Sequence, residues 1–558
     1  MKLTGSHILV ECLKKEGVDV LFGYPGGTIM PFYDALYDER DITHILTRHE
    51  QGAIHAADGY ARSTGRVGVC VATSGPGATN LITGLATAYQ DSIPVVALTG
   101  QVPTHLIGTD AFQEADIFGI TAPITKHNYL VKDVRNLASV IREAFYIART
   151  GRPGPVVVDL PKDVLTSETE FYYPKRVNLL GYKLIEAGHS SQIAMAANEI
   201  AKAKRPLILS GGGVIMADAS EELLELATRA KIPVANTLMG TGSFPQNNEL
   251  SLGMIGMHGT AYANYAMCEC DLLIALGTKF SDRVTGKISE FAQNARIIHI
   301  DIDPAEIGKN VRVDIPIVGG LKETLVELLK EVGEPGDTQV WLDKIADWKE
   351  HYPLHSPNES VLNPQFIMEE IYDLTKGDAI IVTEVGQCQM WGAQYYTYTK
   401  PRSFISSGGL GTMGYGFPAS LGVKYAHRDT PVFNIAGDGS IQMNIQELAT
   451  AVFNKLDVNI IIMNNGYLGM VRQWQELFYD KRYAATPLGG NPDFVKLVEA
   501  YGGQGARVTK KEELRPALEQ ALSSGTVNII DCVIPSEEKV YPMVAPGACI
   551  RNMIGVGE

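Results

Sequence analysis

Residues 431–465, PVFNIAGDGSIQMNIQELATAVFNKLDVNIIIMNN, decide how this chain is read. Pro431 to Ala436 is a short apolar run that ends at the glycine turn Gly437-Asp438-Gly439-Ser440. Ile445 to Phe453 has helical spacing, and Val458 to Met463 is a buried-strand pattern that stops at Asn464-Asn465. The pieces form a strand–helix–strand unit. Parallel strands in such a unit lie about 4.8 Å apart, so Asp438 and Asn465 are predicted to face one crevice at the carboxyl ends of the strands. A carboxylate and an amide oxygen suit a hard cation such as Mg²⁺, which takes few protein ligands and keeps positions open for phosphate oxygens and water. Gly437, Gly439 and Ser440 let backbone N–H groups approach a phosphate, with the positive end of the next helix behind them. Singly, D-G and N-N-G are ordinary turns. At the two ends of one unit they favour a metal–diphosphate site.

Working outward, 558 residues are too many for one core, and roughly 150 residues per domain suggests three or four domains. A hydrophobic content of 45% with 56 glycines and 28 prolines fits an α/β enzyme, and a formal charge of −15 argues against a nucleic-acid partner. The longest apolar runs, such as Pro94 to Leu98, are strand-sized, so no membrane span is expected. The N-terminus reads as an amphipathic helix rather than a signal peptide, and a cytoplasmic location is expected. Seven scattered cysteines without a C-x-x-C pair fit free thiols, and Cys268-Glu269-Cys270 is too isolated for a zinc site.

The patterns predict three doubly wound, parallel-sheet α/β domains: 1–165, 190–330 and 363–535, followed by an irregular tail, 536–558, that lies over another part of the protein, which the family resemblance given below implies is the active site. Strand candidates in the first are Val18 to Gly23, Ile42 to Leu46, Val67 to Thr73, Pro94 to Thr99 and Pro155 to Leu160. Ser167 to Lys183 reads as a linker. The second opens with a helix from Ile193 to Ala203 and a strand from Pro206 to Leu209, and continues through Leu272 to Leu276 and Ile297 to Ile302. Glu331 to Gly336 is a second break, followed by a charged stretch leading to Asn363-Pro364. The last strand of the third module is Val527 to Val533.

Other residues placed for chemistry stand where strands end. Glu50 opens a small-residue helix just past the Ile42 to Leu46 strand, although an acid in a first helical turn usually only complements the helix dipole. Ser74-Gly75-Pro76-Gly77 and Tyr24-Pro25-Gly26-Gly27 repeat the placement at the same sheet edge. Gly409 to Gly414 matches G-x-G-x-x-G, but Phe417-Pro418 is expected to interrupt the helix that a dinucleotide fingerprint needs. Met413 within it reads as core packing or as a prop beneath a ring.

Together these motifs resemble thiamine-diphosphate-dependent enzymes of the pyruvate oxidase and decarboxylase type, and more closely the catalytic subunits of the acetohydroxyacid synthase (acetolactate synthase) family. The resemblance runs through nearly the whole chain, including Arg48-His49-Glu50-Gln51, Ser74 to Asn80, Gly108 to Glu114, Gly151 to Val156, Gly256 to Gly259, Asp282 to Lys287 and Gln473-Trp474. It implies a transferase that decarboxylates pyruvate and joins the two-carbon unit to a second pyruvate or to 2-ketobutyrate, the first common step of branched-chain amino acid (valine, leucine, isoleucine) biosynthesis. It implies thiamine diphosphate held by Glu50, Ser74, Pro76, Asn80, Gln387, Cys388, Gly411, Met413, Gly437, Asp438, Gly439, Ser440, Asn465, Tyr467, Gly469 and Met470, with Mg²⁺ on Asp438, Asn465 and the Tyr467 carbonyl. Gly27, Gln113 and Lys162 match positions lining the family's active site. Arg283 is implied to pair with the acceptor carboxylate, and Trp474 to read its side chain.

The resemblance further implies a flavoprotein in which FAD is structural, bound by Arg152, Gly211, Gly212, Gly213, Met257, His258, Gly259, Gly277, Lys279, Asp282, Arg283, Asp301 and Ile302. It implies a homodimer or tetramer with active sites between subunits, and a small regulatory subunit. The chain departs from the family at Cys388, where histidine is usual, and at Thr28, which is expected to narrow the channel. The rival readings are a thiamine- and FAD-dependent pyruvate oxidase and a non-catalytic protein of the same fold.

Overall fold

The computed structural model describes residues 1–333, 336–355 and 361–556. Glu334 and Pro335 of the predicted break, residues 356–360 of the charged stretch, and Gly557 and Glu558 of the tail lie outside the described residues. Three six-stranded parallel sheets follow one another along the chain. The first runs, edge to edge, Thr43–Leu46, Val20–Gly23, Gly68–Ala72, Val95–Gln101, Val156–Pro161 and His127–Leu130. The third runs Phe404–Ile405, Ile380–Thr383, Val432–Gly437, Asn459–Asn464, Asn528–Val533 and Gln504–Val508. Counted in chain order, both have strand order 2-1-3-4-6-5, so the first and third sheets share one topology. The central sheet runs Ser251–Met254, Val234–Asn236, Pro206–Ser210, Leu272–Leu276, Arg296–Asp301 and Ile315–Val318, an order of 3-2-1-4-5-6.

Each sheet is buried on both faces, which is why its strands read as continuous apolar runs rather than alternating ones. Along Gly68–Ala72, Val69 and Val71 enter one apolar cluster, whereas Cys70 and Ala72 enter another. In the central sheet Ile208 and Ile274 face one way and Leu207, Leu209 and Leu273 the other. In the third, Phe433 and Ile435 oppose Ile460 and Ile462 in the same manner. Ligands in such sheets bind where the strand order reverses. Those points lie between Val20–Gly23 and Gly68–Ala72, between Pro206–Ser210 and Leu272–Leu276, and between Ile380–Thr383 and Val432–Gly437. Each one is flanked by glycine turns singled out in the sequence.

The first and third modules are locked by two helices with almost no side chain between them. The Glu50–Thr64 helix crosses Gly416–Ala426 so closely that a Cβ at Gly422 would lie 1.8 Å from the Ala56 carbonyl, and one at Gly59 would lie 2.1 Å from that of Ala419. Arg62 adds a buried ion pair with Asp58 at 2.5 Å and another with Asp91 at 2.9 Å, and Tyr415 donates its hydroxyl to Asp58 at 2.6 Å.

Four local expectations are corrected. Within the predicted linker, Glu168–Glu170 pairs antiparallel with Lys2–Thr4. The sixth strand of the first sheet, His127–Leu130, had too short a pattern to be seen. The Gly416–Ala426 helix forms despite Phe417-Pro418, because a proline in the first turn costs no backbone hydrogen bond there. The helix expected from Ile445 is a 3₁₀ run, Ile441–Glu447, followed by an α-helix, Leu448–Phe453. Asn444 leaves helical geometry (φ −136°, ψ 29°), and its side chain reaches across to the Gly414 carbonyl at 2.7 Å.

Candidate active site and adjoining cavity

The two halves of the opening signature meet. Gly437 lies opposite Met463 in parallel register, so Asp438, one residue past its strand, neighbours Asn464, the last residue of the next strand, and Asn465 follows directly. The Asp438 carboxylate is 1% exposed, accepts a 2.7 Å hydrogen bond from Asn491 Nδ2, and is reached by the backbone N–H of Gly466 in the opposite turn. Burial outweighs these donors and pushes its pKa up to about 6. A buried carboxylate so under-compensated is a site that a cation stabilises. Asn465 Oδ1 accepts from the Tyr467 N–H at 3.1 Å, and its Nδ2 donates to Gln387 Oε1 at 3.0 Å. Gln387 is held in turn, its Nε2 donating to Gln473 Oε1 at 3.0 Å and to the Glu538 carbonyl at 2.9 Å. Gly469 passes so near that a Cβ there would lie 2.0 Å from Gln387 Oε1, and a Cβ at Gly439 would lie 2.8 Å from Leu468. The Ser440 hydroxyl is committed to its own turn, 3.3 Å from the backbone of Gly437. Carboxylate and amide oxygens beside glycine turns at a switch point are a donor set that fits a hard cation and a diphosphate.

Cys388, in the Gln387–Tyr395 helix, packs into the core of the third module with its thiol against the Gly437 backbone. Burial pushes that thiol well above its ordinary range, so it stays uncharged.

A second cluster gathers at the switch point of the first sheet. Glu50 is the first residue of its helix and accepts a 2.9 Å hydrogen bond on Oε2 from Asn80 Nδ2, while a Cβ at Gly77 would come within 3.2 Å of Oε1. Gln113 (φ 59°) brings its carbonyl over the Ser74 turn, 2.7 Å from where a Cβ on Gly75 would be. A Cβ at Gly27 would meet nothing within 4 Å, so the turn is open there. Thr28 is turned to the sheet: its hydroxyl lies 3.0 Å from Thr73 Oγ1 and accepts from the Ser74 N–H at 3.1 Å, bracing that turn. Ser74 Oγ is buried with no hydrogen-bond partner. Lys162 opens a short helix, Lys162–Thr166, after the adjoining strand, and is exposed. Among the described residues no hydrogen bond or ion pair joins Glu50, Asn80 or Gln113 to Asp438, Asn465 or Tyr467.

All three modules wall a cavity of about 980 Å³. Its central part is the switch point of the second sheet, where a Cβ at Gly211 would lie 2.1 Å from the Gly277 carbonyl and one at Gly213 2.7 Å from the Gly277 Cα. Gly212, Gly213, Gly277, Lys279, Asp282, Arg283, Asp301 and Ile302 line it, with Arg152, Met257 and His258; Gly211 and Gly259 are turn residues beside the wall. Arg152 donates to Asp303 at 3.0 Å, to Glu306 at 2.7 Å and to Ser92 at 2.9 Å. Burial holds the Asp301 carboxyl up at about 6. Bare glycine backbone, a buried acid and an apolar wall suit a dinucleotide-sized ligand.

Toward the third module the same cavity reaches Gly411, Met470 and Trp474. Met470 and Trp474 share one face of the Gly469–Phe478 helix, four residues apart. Arg283 pairs with its neighbour Asp282 at 2.7 Å and remains more than half exposed, free to meet an anion. The tail is strapped across this region. Val544 N–H donates to the Met257 carbonyl at 2.8 Å, and Gln473 both donates to the Val540 carbonyl at 3.0 Å and accepts from its N–H at 2.9 Å.

Residues missing from the sequence reading include Asn491, Glu384 and Glu447. Glu447 accepts from the Arg48 N–H at 3.0 Å and from Thr450 at 2.6 Å, tying the entrance of the Glu50 helix to the third module. Strand-end placement, which found Asp438, would also have found Glu384 one residue past Ile380–Thr383. Asn491 and Glu447 sit in segments with no such marker.

This architecture defines a thiamine pyrophosphate enzyme. Residues 3–120 match the family profile of the thiamine pyrophosphate enzyme N-terminal TPP binding domain, 193–328 that of the central domain, and 384–532 that of the C-terminal TPP binding domain. Similar proteins include the acetolactate synthase large subunits of Cyanidium caldarium (49% identical, over 99% of this chain and 97% of the relative), Parasynechococcus marenigrum (50%, over 99% and 91%) and Haemophilus influenzae (48%, over 99% and 98%). The chain belongs to the acetolactate synthase large-subunit family of thiamine pyrophosphate enzymes.

Proposed function

We propose that this chain is the catalytic subunit of an acetolactate synthase, a transferase that decarboxylates pyruvate and ligates the two-carbon unit to a second pyruvate, giving 2-acetolactate, or to 2-ketobutyrate, giving 2-aceto-2-hydroxybutyrate. These are the first common products of valine, leucine and isoleucine biosynthesis. The observation that carries the reading is the opening of Arg283 and Trp474, from different modules, onto one cavity beside Met470. A guanidinium suits a ketoacid carboxylate, and an indole suits its alkyl group. Bound thiamine pyrophosphate supplies the electron sink for loss of CO₂.

The chain's own groups have assigned parts. Glu50, fixed by Asn80, holds and passes the proton at the aminopyrimidine of the cofactor, with Gly27, Gln113 and Lys162 around the reacting carbon. Asp438, Asn465 and the Tyr467 carbonyl hold Mg²⁺. Gly437, Gly439, Ser440, Gln387, Cys388, Gly469 and Met470 surround the diphosphate, and Ser74, Pro76, Asn80, Gly411 and Met413 support the rings. FAD takes the cavity around Gly211 to Gly213, Gly277 and Asp301 in a structural role. Because no hydrogen bond or ion pair among the described residues joins the Glu50 cluster to the Asp438 cluster, the active site is assigned to the junction of two copies, hence a homodimer or a tetramer built from dimers, and a small regulatory subunit is assigned as a further partner. Domain limits of 1–165, 190–330 and 363–535, with the tail 536–558 covering the site, fit the three sheets. Among the described residues no helix is long and apolar enough to cross a membrane; a cytoplasmic location belongs to this reading.

A competition assay tests it: protein loaded with FAD, Mg²⁺ and thiamine pyrophosphate is given pyruvate together with 2-ketobutyrate. Both acetohydroxyacids are expected, and CO₂ release without either product overturns the assignment.

A further inference from the structure

The loop from Gly408 to Gly414 carries Met413 and forms part of the wall of the large cavity, yet it has no regular structure of its own. Four of its backbone N–H groups are taken up by side chains from two modules. Asp91, from the first module, accepts from Gly408 at 3.1 Å and Gly409 at 2.8 Å. Ser407 Oγ accepts from Thr412 at 3.1 Å. Glu384, fully buried one residue past the end of Ile380–Thr383, accepts from the Gly414 N–H on Oε2 at 2.8 Å and from the Phe417 N–H on Oε1 at 2.9 Å. The peptide on the other side of the Gly414 Cα is gripped as well, because Asn444 Nδ2 donates to the Gly414 carbonyl at 2.7 Å. Asn444 belongs to the 3₁₀ run that leaves the Asp438 turn. Gly414 takes φ +84°, and a Cβ on it would lie 2.8 Å from that of Met443. The residue after Met413 is thus clamped from strand end and diphosphate turn together.

We propose that Glu384, with Asn444 as its counterpart, is a positioning residue for the thiamine pyrophosphate site, fixing Met413 by holding the Gly414 peptide. This rests on the reading that Met413 supports the bound cofactor. A mere helix cap would need one oxygen, on Phe417; Glu384 spends its second on the loop. A glutamine of the same shape cannot serve both, since its NH₂ would face an N–H. Burial also disfavours the charge, driving the Glu384 carboxyl up to about 7, and four backbone amides of residues 414 to 417 oppose that rise.

The test is titration of FAD-loaded protein with thiamine pyrophosphate and Mg²⁺, followed by tryptophan fluorescence. Glu384→Gln is expected to weaken binding about tenfold or more, as loss of a charge-assisted hydrogen bond allows, with FAD content unchanged. In a Met413→Ala background the same substitution is expected to cost less than about twofold, because the two act through one element. Equal losses in both backgrounds, or none in the wild-type background, overturn the proposal. Should Glu384→Gln not fold, Asn444→Ala replaces it in the same cycle with the same two outcomes. Failure of the wild type itself to bind thiamine pyrophosphate overturns instead the cofactor reading beneath it.

Discussion

Replacing Gly469 by alanine adds one methyl group at the most crowded point of the proposed metal site. The new Cβ would lie 2.0 Å from Gln387 Oε1 and 2.6 Å from Asn465 Nδ2, the two atoms that share a 3.0 Å hydrogen bond. Gln387 must retreat by more than an ångström, yet its Nε2 is tied to Gln473 and to the Glu538 carbonyl. The retreat breaks the bond to Asn465, at about 1 kcal/mol, and overpacking adds about 1–3 kcal/mol. Gly469 is the first residue of its helix and its φ is not positive, so alanine suits the backbone and returns up to about 1 kcal/mol. The net loss of about 1–4 kcal/mol falls on the state in which Asn465 must present its oxygen to Mg²⁺. Calorimetric titration with Mg²⁺ and thiamine pyrophosphate should show binding weakened by about fivefold to nearly a thousandfold. Gly489→Ala is the control, since a Cβ there meets nothing within 4 Å; its affinity should stay near wild type. If Gly469→Ala binds as tightly as the wild type, the idea that Gln387 orients Asn465 for a metal is refuted.

Other expectations follow from the same geometry. Glu50→Gln should slow proton exchange at the reactive carbon of bound thiamine pyrophosphate by about 10²-fold or more, the usual worth of a placed acid–base group; exchange at the wild-type rate removes Glu50 from that role. Trp474→Leu should erode preference for 2-ketobutyrate over pyruvate as acceptor by about 1–3 kcal/mol while acetolactate still forms, and an unchanged product ratio under competition counts against it. Asp159, buried beneath Thr99 and Gln101 at 2.7 and 3.0 Å, has its pKa raised by burial to about 7. Because the folded value exceeds the unfolded one of about 3.9, this site favours folding most when protonated and loses that contribution as pH climbs through 7. The deficit of Asp159→Asn in thermal unfolding should therefore be largest below about pH 4, shrink between about pH 4 and about pH 7 and level off above that, whereas a gap that widens with pH would contradict the burial argument.

The sheets were legible where burial on both faces leaves an uninterrupted apolar run: Leu272–Leu276 has the bounds expected for it, and Asn459–Asn464 differs by one residue at each end. Short or edge strands such as His127–Leu130 and Ser251–Met254 were hidden because half their residues are polar or only partly buried. Turn chemistry found Asp438, the Asn465 turn and the glycine-rich edges. It could not find Asn444 or Asn491, whose importance lies in partners thirty or more residues away in sequence, whereas Glu384 had the same strand-end placement as Asp438. The proline at 418 misled for a local reason: the helix begins at Gly416, so what looked like a breaker is part of its first turn. Thr28, named as a departure from the family pattern, has a hydroxyl that braces the Ser74 turn, a contact with a partner 46 residues away that the sequence alone does not show.

The central claim is that carbon released from one pyruvate's carboxylate is matched by ligation to a second ketoacid rather than by oxidation through the flavin. The most direct measurement is the balance of CO₂, acetolactate and oxygen when the cofactor-loaded protein is given pyruvate alone. The account predicts one acetolactate for every CO₂, at the same rate with or without air and with no oxygen uptake. Oxygen consumption equal to CO₂ release, with acetolactate missing, would contradict it.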